Sequence, residues 1–311
     1  MDVLRLTLRQ LQIFAAVARS GSTTAASAEI ALSQSATSSA VNELERLLSL
    51  RLFDRAGKRL LLNDNGRALL PRALALLDGA ASIESMARTA DAQAHSLRIG
   101  ASTTIGSYVL PKLLSEFLTA SHQDDASAWH SRVTIGNTEA ICDAVAAFEL
   151  DVGLIEGVCH HAALSVTPWL QDELLIVACP TSLLVTSLDR SGHAPLKALR
   201  EVVWLLREPG SGTREATDQL LLGPLRSYQR SIELGSSEAI KHAAAQGLGV
   251  ACLSQWVVSD LLASQQLRSI PTRLPKMLRQ CYLVVHRDKL PTPALLDFVA
   301  RATALSSAGQ P

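Results

Sequence analysis

Residues 32–45, LSQSATSSAVNELE, place Ser, Thr, Gln and Asn where a buried helix would carry Leu or Val. On a helix of 3.6 residues per turn starting at Ser33, a residue suited to capping it, Val41, Leu44 and Leu48 fall on one side. Ser35, Ser38, Ser39 and Asn42 fall together on another. That second stripe is short, neutral and rich in hydrogen-bonding groups. Taken alone it fits a solvated helix face, a Ser-rich turn or a surface that reads base edges, and the flanking sequence has to decide.

Upstream, Leu8, Leu11, Ile13, Phe14 and Val17 recur at helical spacing, and RSGS at 19–22 supplies Gly21 as a C-terminal cap. The stretch STTAASAEIA at 22–31 reads as a second short helix, with side chains small enough to let another helix approach. Downstream, SLRLFDRAGKRLLLNDNG at 49–66 reads as two short strands joined by a basic tip at Gly57. Three helices followed by a basic β-wing predict a winged helix-turn-helix. In that fold the apolar side of the third helix packs on the first two and its polar side faces the major groove. Ser33, Gln34, Ser35, Ser38, Ser39 and Asn42 are then the candidate DNA-reading residues, and Arg55, Lys58 and Arg59 lie along the phosphates.

Charge distribution supports this reading more than total charge does. The 311-residue chain has 29 basic and 29 acidic residues, but its first 60 carry eight basic against five acidic side chains. With 48% hydrophobic and 19% charged residues it reads as globular, and no segment is long and apolar enough to span a bilayer, so no membrane partner is expected. The N-terminus carries no export signal, which predicts a cytoplasmic protein. Five cysteines, Cys142, Cys159, Cys179, Cys252 and Cys281, form no C-x-x-C pair and read mostly as buried, reduced thiols, with a redox-sensing role for one of them as the lesser alternative.

From Gly66 to about Ala94 the sequence is Ala- and Leu-rich with helical periodicity and Pro71 inside it. A helix this long between two domains has no core of its own, so pairing with a second copy is the economical way to cover its apolar stripe. Beyond residue 95, strands are predicted at SLRIGAS, RVTIGN, DVGLIEG, ELLIVACP, EVVWLL, SIELG, GVACLS and QCYLVVHR, mostly followed by helices. That alternation predicts a parallel α/β domain. Pro168 and the prolines at 271 and 275 bracket its middle third, which predicts two sub-domains joined by two crossing strands with a cleft between them. The expected organisation is a mainly α winged helix-turn-helix over 1–65, a linker helix over 66–94 and an effector domain over 95–311. Within the last, sub-domain I covers about 95–169 and 272–311, and sub-domain II about 170–271.

These residues resemble the LysR-type transcriptional regulators nearly end to end. TLRQLQIFAAVARSGSTTAA, LSQSATSSAVNELE and RLFDRAGKRLLLNDNGR are similar to that family's helix-turn-helix, recognition helix and wing. LRIGASTTIGSYVLPKLL, VTIGNTE, LLREPGSGTRE and QGLGVACLSQWVV are similar to its periplasmic-binding-protein-like effector domain. GASTTIG together with REPGSGTRE most resembles the branch controlling sulfur assimilation, sulfite response or carbon fixation. The resemblance implies a double-stranded DNA operator, a small-molecule effector, a homodimer or homotetramer, and RNA polymerase as a partner. Many members carry an arginine where Ser39 stands, so the operator sequence does not carry over. TASHQDDASAWHS at 119–131 replaces a short proline-containing turn of the family.

Small hydroxyl or amide residues mark four strand-to-helix junctions: Ser102, Thr103 and Thr104; Asn137 and Thr138; Ser211 and Thr213; Ser236 and Ser237. Free backbone N–H groups at a helix N-terminus, with hydroxyls beside them, suit an oxyanion, although N-capping alone accounts for any single junction. The resemblance places the junctions around one cleft, which makes a small anion the expected effector: sulfite, sulfate or a small carboxylate. It is expected to be held mainly by the neutral donors Thr103, Asn137, Ser211 and Thr213. Arg214 is read as the single cation of these motifs, with Glu208 and Glu215 near enough to claim it.

Competing chemistries fit poorly. EPGSGTRE lacks the Lys that must follow the last glycine of a phosphate-binding loop, and no G-x-S-x-G elbow occurs. His160 and His161 are adjacent and would point apart in a strand, and with only Cys159 nearby they do not suggest zinc. His242 reads as a surface or packing residue. No catalytic residue, cofactor or metal is called for. The other class of function compatible with these features is a solute- or anion-binding protein whose N-terminal helices serve only oligomerisation.

Overall fold

A computed structural model describes residues 5–57, 59–86, 97–120 and 131–307. Lys58, residues 87–94 of the expected linker helix and most of the 119–131 insertion lie outside them. The chain divides into two compact units, one of residues 1–93 with 288–290 and one of 94–287 with 291–311.

In the first unit, α1 (Leu8–Ser20), α2 (Thr23–Glu29) and α3 (Gln34–Leu48) are followed by β1 (Phe53–Ala56), β2 (Arg59–Leu62) and α4 (Asp64–Met86). Local chemistry sets the boundaries. Thr7 and Gln10 form a reciprocal capping box at the start of α1, and Gly21 ends it at φ 65°. Ser33 accepts from the Ala36 N–H at 3.2 Å to start α3. The strands pair antiparallel from Phe53↔Leu62 to Ala56↔Arg59, and Gly57 turns the tip at φ 64°. Leu11, Phe14, Val17, Val41, Leu44, Leu52 and Phe53 form the core, with the Phe14 and Phe53 rings 5.5 Å apart. Each large apolar side chain so buried contributes roughly 1.5–3 kcal/mol.

Two expectations need correction. Leu8 is 48% exposed and stands outside the apolar stripe, because the core begins one turn further along at Leu11. The early part of α4 does have a core: Ala73 is buried, and Leu69, Leu70 and Leu77 pack against the same cluster as α1. Pro71 lies inside a continuous helix, past its first turn. Only further along does α4 leave large apolar side chains in the open, Leu76 at 56% and Ile83 at 70%.

The second unit runs β3 (Arg98–Ser102), α5 (Thr103–Tyr108), α6 (Leu110–Ala120), β4 (Arg132–Gly136), α7 (Thr138–Ala146) and β5 (Val152–Glu156). Then come β6 (Leu164–Ala178), α8 (Leu183–Thr186), α9 (Leu196–Glu201), β7 (Val203–Leu206), α10 (Gly212–Leu225), β8 (Arg230–Glu233) and α11 (Ser237–Ala245). It closes with β9 (Val250–Ser254), α12 (Gln255–Ala263), β10 (Arg268–Ser269), β11 (Leu278–His286) and α13 (Pro293–Ser307). The strand order is β4-β3-β5-β11-β6-β9-β7-β8, with β10 added on β6.

The sheet is mixed, not uniformly parallel. β3 pairs parallel with β4 and β5, and β7 with β8 and β9. β6 and β11 are antiparallel to each other and to the strands beside them, β9 and β5. These two long strands connect the halves, which is why each half can be a crossover α/β layer while the seam between them is not. β6 begins at Leu164, well before ELLIVACP, and Pro168 sits within it opposite Tyr282. Each half has its own apolar centre, one around Ile99, Phe117, Leu154 and Phe298 and one around Ile176, Trp204, Leu221 and Val250. Among the described residues, no helix is long and apolar enough to cross a membrane.

Candidate functional site

The first candidate surface is a groove of about 480 Å³ between α3 and the wing. Gln34, Ser38, Asn42, Arg55 and Arg59 all line it, so five of the predicted reading and wing residues share one concavity. Ser39 is exposed on the same helix. Ser33 and Ser35 are exposed but tied to each other at the helix start, Oγ to Oγ 3.0 Å. Five further polar residues join the groove, Ser22, Thr23, Thr24, Glu45 and Arg51. Thr23 accepts from Gln34 Nε2 at 3.2 Å, and Arg51 contacts Glu45 at 2.9 Å. Glu45 is 8% exposed, and its Oε1 also accepts from the Leu52 N–H at 2.8 Å, which fixes where α3 hands over to the wing. A carboxylate in LSQSATSSAVNELE that faces inward is invisible to periodicity, because it is buried for its hydrogen bonds and not for its hydrophobicity.

The second candidate site is the cleft of the α/β unit, where the four junctions divide into two groups. Thr103 accepts from Arg207 Nη2 at 3.4 Å and gives its own proton to the Gly136 carbonyl at 3.1 Å. Arg207 Nη1 donates to Ser237 Oγ at 2.9 Å. Asn137 caps α7, accepting from the Ala140 N–H at 2.9 Å, and its Nδ2 donates to Glu208 at 3.3 Å. Glu208 in turn takes two hydrogen bonds of 2.8 Å from Arg207. Ser236 caps α11 beside this group. Thr103 and Ser237 therefore meet one guanidinium, which is 3% exposed, Asn137 reaches it through Glu208, and Ser236 stands next to Ser237 in the chain. Burial opposes the Glu208 charge, but the bonds from Arg207, its own backbone N–H and Asn137 outweigh it and hold that carboxyl below its ordinary range.

Of the other predicted residues, Ser102, Thr138, Ser211 and Thr213 are committed to holding the framework. Ser102 Oγ hydrogen-bonds the Glu156 carboxylate and accepts from the Glu156 N–H. Thr138 Oγ1 donates to the Glu156 carbonyl at 2.9 Å and accepts from the Gly212 N–H at 3.2 Å. Ser211 caps α10, and Thr213 accepts from Arg279 at 2.8 Å. Thr104 Oγ1 is buried with no hydrogen-bond partner among the described residues. Gly212 is required where it stands, since a Cβ there would meet the Glu156 carbonyl oxygen at 1.8 Å.

The single-cation expectation is overturned. Arg207, Lys241 and Arg279 are 3%, 3% and 5% exposed. Arg214 is claimed by Asp218 at 2.8 Å and Glu233 at 3.6 Å, while Glu208 serves Arg207 and Glu215 contacts His160 at 3.0 Å. Arg279 of β11 binds Asp172 of β6 through Nε at 2.8 Å and lies 3.8 Å from Glu156. Burial opposes the Arg279 charge, yet Glu156 and Asp172 hold its pKa above the ordinary value. Burial pushes Asp172 up despite that partner. Lys241 of α11 reaches Tyr108 of α5 at 3.2 Å, Glu238 at 2.8 Å and Asp260 at 3.1 Å. Burial and the hydrogen bond to Glu238 push the Tyr108 phenol up to about 12. Arg207 stood in plain view in LLREPGSGTRE, one residue past an apolar strand; its partner Ser237 lies 30 positions away.

His160 and His161 lie in the loop between β5 and β6, not in a strand. Among the described residues no three of His, Cys, Asp or Glu gather as a metal site.

Residues 8–67 match the family described as "Bacterial regulatory helix-turn-helix protein, lysR family", and residues 90–306 match "LysR substrate binding domain". The chain is 44% identical over 296 residues to the uncharacterized HTH-type transcriptional regulator YeiE of Escherichia coli K12, covering 95% of this chain and 97% of that protein. The regulatory domain of CcmR from Synechocystis PCC6803 in complex with 2-PG superposes with a TM-score of 0.59 at 26% identity, covering 68% of this chain and 97% of that one. ArgP from Mycobacterium tuberculosis shares the fold at a TM-score of 0.71 and 18% identity, covering 97% of this chain and 98% of that one.

Proposed function

Because the chain belongs to the LysR family of transcriptional regulators, we propose that it reads operator DNA through α3 and that a small anion at Arg207 changes how it does so. It is a regulator with a DNA-binding and an effector-binding domain, not an enzyme. Ser33, Gln34, Ser35, Ser38, Ser39 and Asn42 face the bases, Arg55 and Arg59 face the phosphates, and Lys58, between them in sequence, adds its charge to theirs. One such helix reads only a few base pairs, so a homodimer or homotetramer supplies the rest, with Leu76 and Ile83 of α4, seven positions apart and hence on one side, in the contact. The partners of this reading are the duplex, the effector and RNA polymerase, in the cytoplasm.

The observation that carries the effector proposal is a buried guanidinium that touches both halves of the sheet, Thr103 from one and Ser237 from the other, and is neutralised by the less buried Glu208. An incoming oxyanion takes the place of Glu208 on Arg207 and frees Asn137 Nδ2 to donate to it. The N-terminus of α11, capped by Ser236, adds its backbone N–H groups. Ser102, Thr138, Ser211 and Thr213 hold the frame behind this site through their bonds to Glu156, the α10 N-terminus and Arg279. The emphasis thus moves from neutral hydroxyls to a charge-assisted fork, a geometry that suits sulfite, sulfate and small carboxylates. The bound 2-PG of CcmR supports this class. A ligand touching both halves stabilises one arrangement of them over another, which is the condition for any shift in DNA binding. A footprint of the operator complex with and without added anion tests this. An anion-dependent change in protection is expected, and identical footprints at saturating anion speak against it.

A further inference from the structure

Cys142 and Cys159 lie 17 positions apart with no spacing motif to mark them, yet the fold brings their Sγ atoms to 3.4 Å. Cys142 is on α7 and 5% exposed, whereas Cys159 is half-buried on the loop between β5 and β6. The other three cysteines are buried. Cys179 faces Thr181, and Cys252 and Cys281 are set in β9 and β11. A cavity of about 570 Å³, lined by Cys142, Val158 and His160, opens on the Cys142 side of the pair. All five are free thiols, as expected, and Cys159 alone is not fully buried.

We propose that Cys142 and Cys159 form a reversible disulfide, an oxidation site separate from the Arg207 cluster. A disulfide needs about 2.05 Å between sulfurs, so the pair closes by a small movement of the loop that carries Cys159. With a low-molecular-weight disulfide RSSR as oxidant, the Cys159 thiolate attacks one sulfur and expels RS⁻. Cys142 then loses its proton to water and attacks the Cys159 sulfur of the mixed disulfide, expelling the second RS⁻. Two protein thiols and RSSR thus become one protein disulfide and two RSH; the chain loses two electrons and two protons. Cys159 leads because it is the more exposed, and because burial and the contact with Cys159 push the Cys142 thiol up. The bond ties α7 to the loop carrying His160, whose Nε2 sits 3.0 Å from Glu215 of α10.

The test exposes the reduced full-length chain to oxidised glutathione, counts thiols after denaturation and maps the cross-link. No Lys or Arg lies between Arg132 and Arg190, so cleavage after glutamate is needed, and Glu149 and Glu156 separate the two cysteines. Free thiols should fall from five to three, with a single Cys142–Cys159 link that dithiothreitol reverses. Cys159→Ser should keep its four remaining thiols. Cys142→Ser, or Cys142→Ala if the serine disturbs folding, should trap one glutathione on Cys159. Retention of all five thiols, a link through any other cysteine, or equal loss in Cys159→Ser would overturn the proposal.

Discussion

Arg207 donates to Thr103 at 3.4 Å, across from the first strand-to-helix junction of one half of the sheet to the end of β7 in the other. This is a contact between residues 104 positions apart, and it makes a single guanidinium sensitive to how the two halves are set. The same side chain is held by Glu208, and in the proposed function an incoming anion replaces that carboxylate.

The first prediction follows from that replacement. Arg207→Gln should weaken anion binding by about 10- to 100-fold, since a charge-assisted hydrogen bond contributes about 1.5–3 kcal/mol. Glu208→Gln removes the internal competitor and should tighten binding by about tenfold. Both proteins should still bind operator DNA. Equilibrium dialysis with a labelled anion measures both effects, and a change of the same sign in the two variants contradicts the exchange of Glu208 for ligand.

The groove between α3 and the wing separates two kinds of contact. Arg55→Ala should weaken binding to all duplexes alike and flatten the salt dependence by about one counterion. Ser38→Ala or Asn42→Ala should instead alter sequence preference with little change in salt slope, at about 1–3 kcal/mol for a lost base contact. Titrations at several salt concentrations on specific and scrambled duplexes decide this, and identical behaviour of the two classes would mean that wing and reading helix are misassigned.

Leu76 and Ile83 are exposed on α4, continuing toward its C-terminal end the side on which Leu69 still packs, while Leu70 and Leu77 turn toward the core. Ile83→Glu should therefore leave far-UV circular dichroism unchanged and lower dimer stability by several-fold or more, since a charge is placed in an apolar contact. Sedimentation equilibrium is the measurement. An unchanged association constant places the dimer contact elsewhere.

Much of the fold was legible before any coordinates. Ser33, Gly21 and Gly57 mark boundaries by chemistry local to one or two residues, and the eight apolar runs beyond residue 95 each contain a strand. The first part of β6 was not legible, because SVTPW carries a proline and alternates weakly, and its partners on β11, from Leu164↔His286 to Pro168↔Tyr282, lie 122 to 114 positions away. The candidate cleft was half legible. Hydroxyls at strand-to-helix junctions show in the sequence, but which of them are consumed by Glu156, Gly212 and Arg279 depends on tertiary partners. Arg207, Lys241 and Arg279 look like ordinary surface cations until Glu208, Tyr108 and Asp172 are seen to enclose them.

Gly212 offers a stability test of the frame. Its amide bonds Thr138, and a Cβ would collide with the Glu156 carbonyl. Gly212→Ala should cost about 1–3 kcal/mol or more, the range for forcing atoms into a packed site, and lower the melting temperature. A wild-type melting curve for this variant rules out the close approach of α10 to β5.

The most direct measurement is isothermal calorimetry of the full-length protein with sulfite, sulfate, phosphate and small carboxylates, alongside a neutral molecule of similar size. At least one small oxyanion should bind wild type at millimolar concentration or better, and selectively, because a buried donor left unpaired costs about 1–3 kcal/mol per mismatched group. Thr103→Val and Arg207→Gln should lose that heat while keeping the fold. Absence of binding by every anion, or undiminished heat in both variants, contradicts the assignment of the cleft.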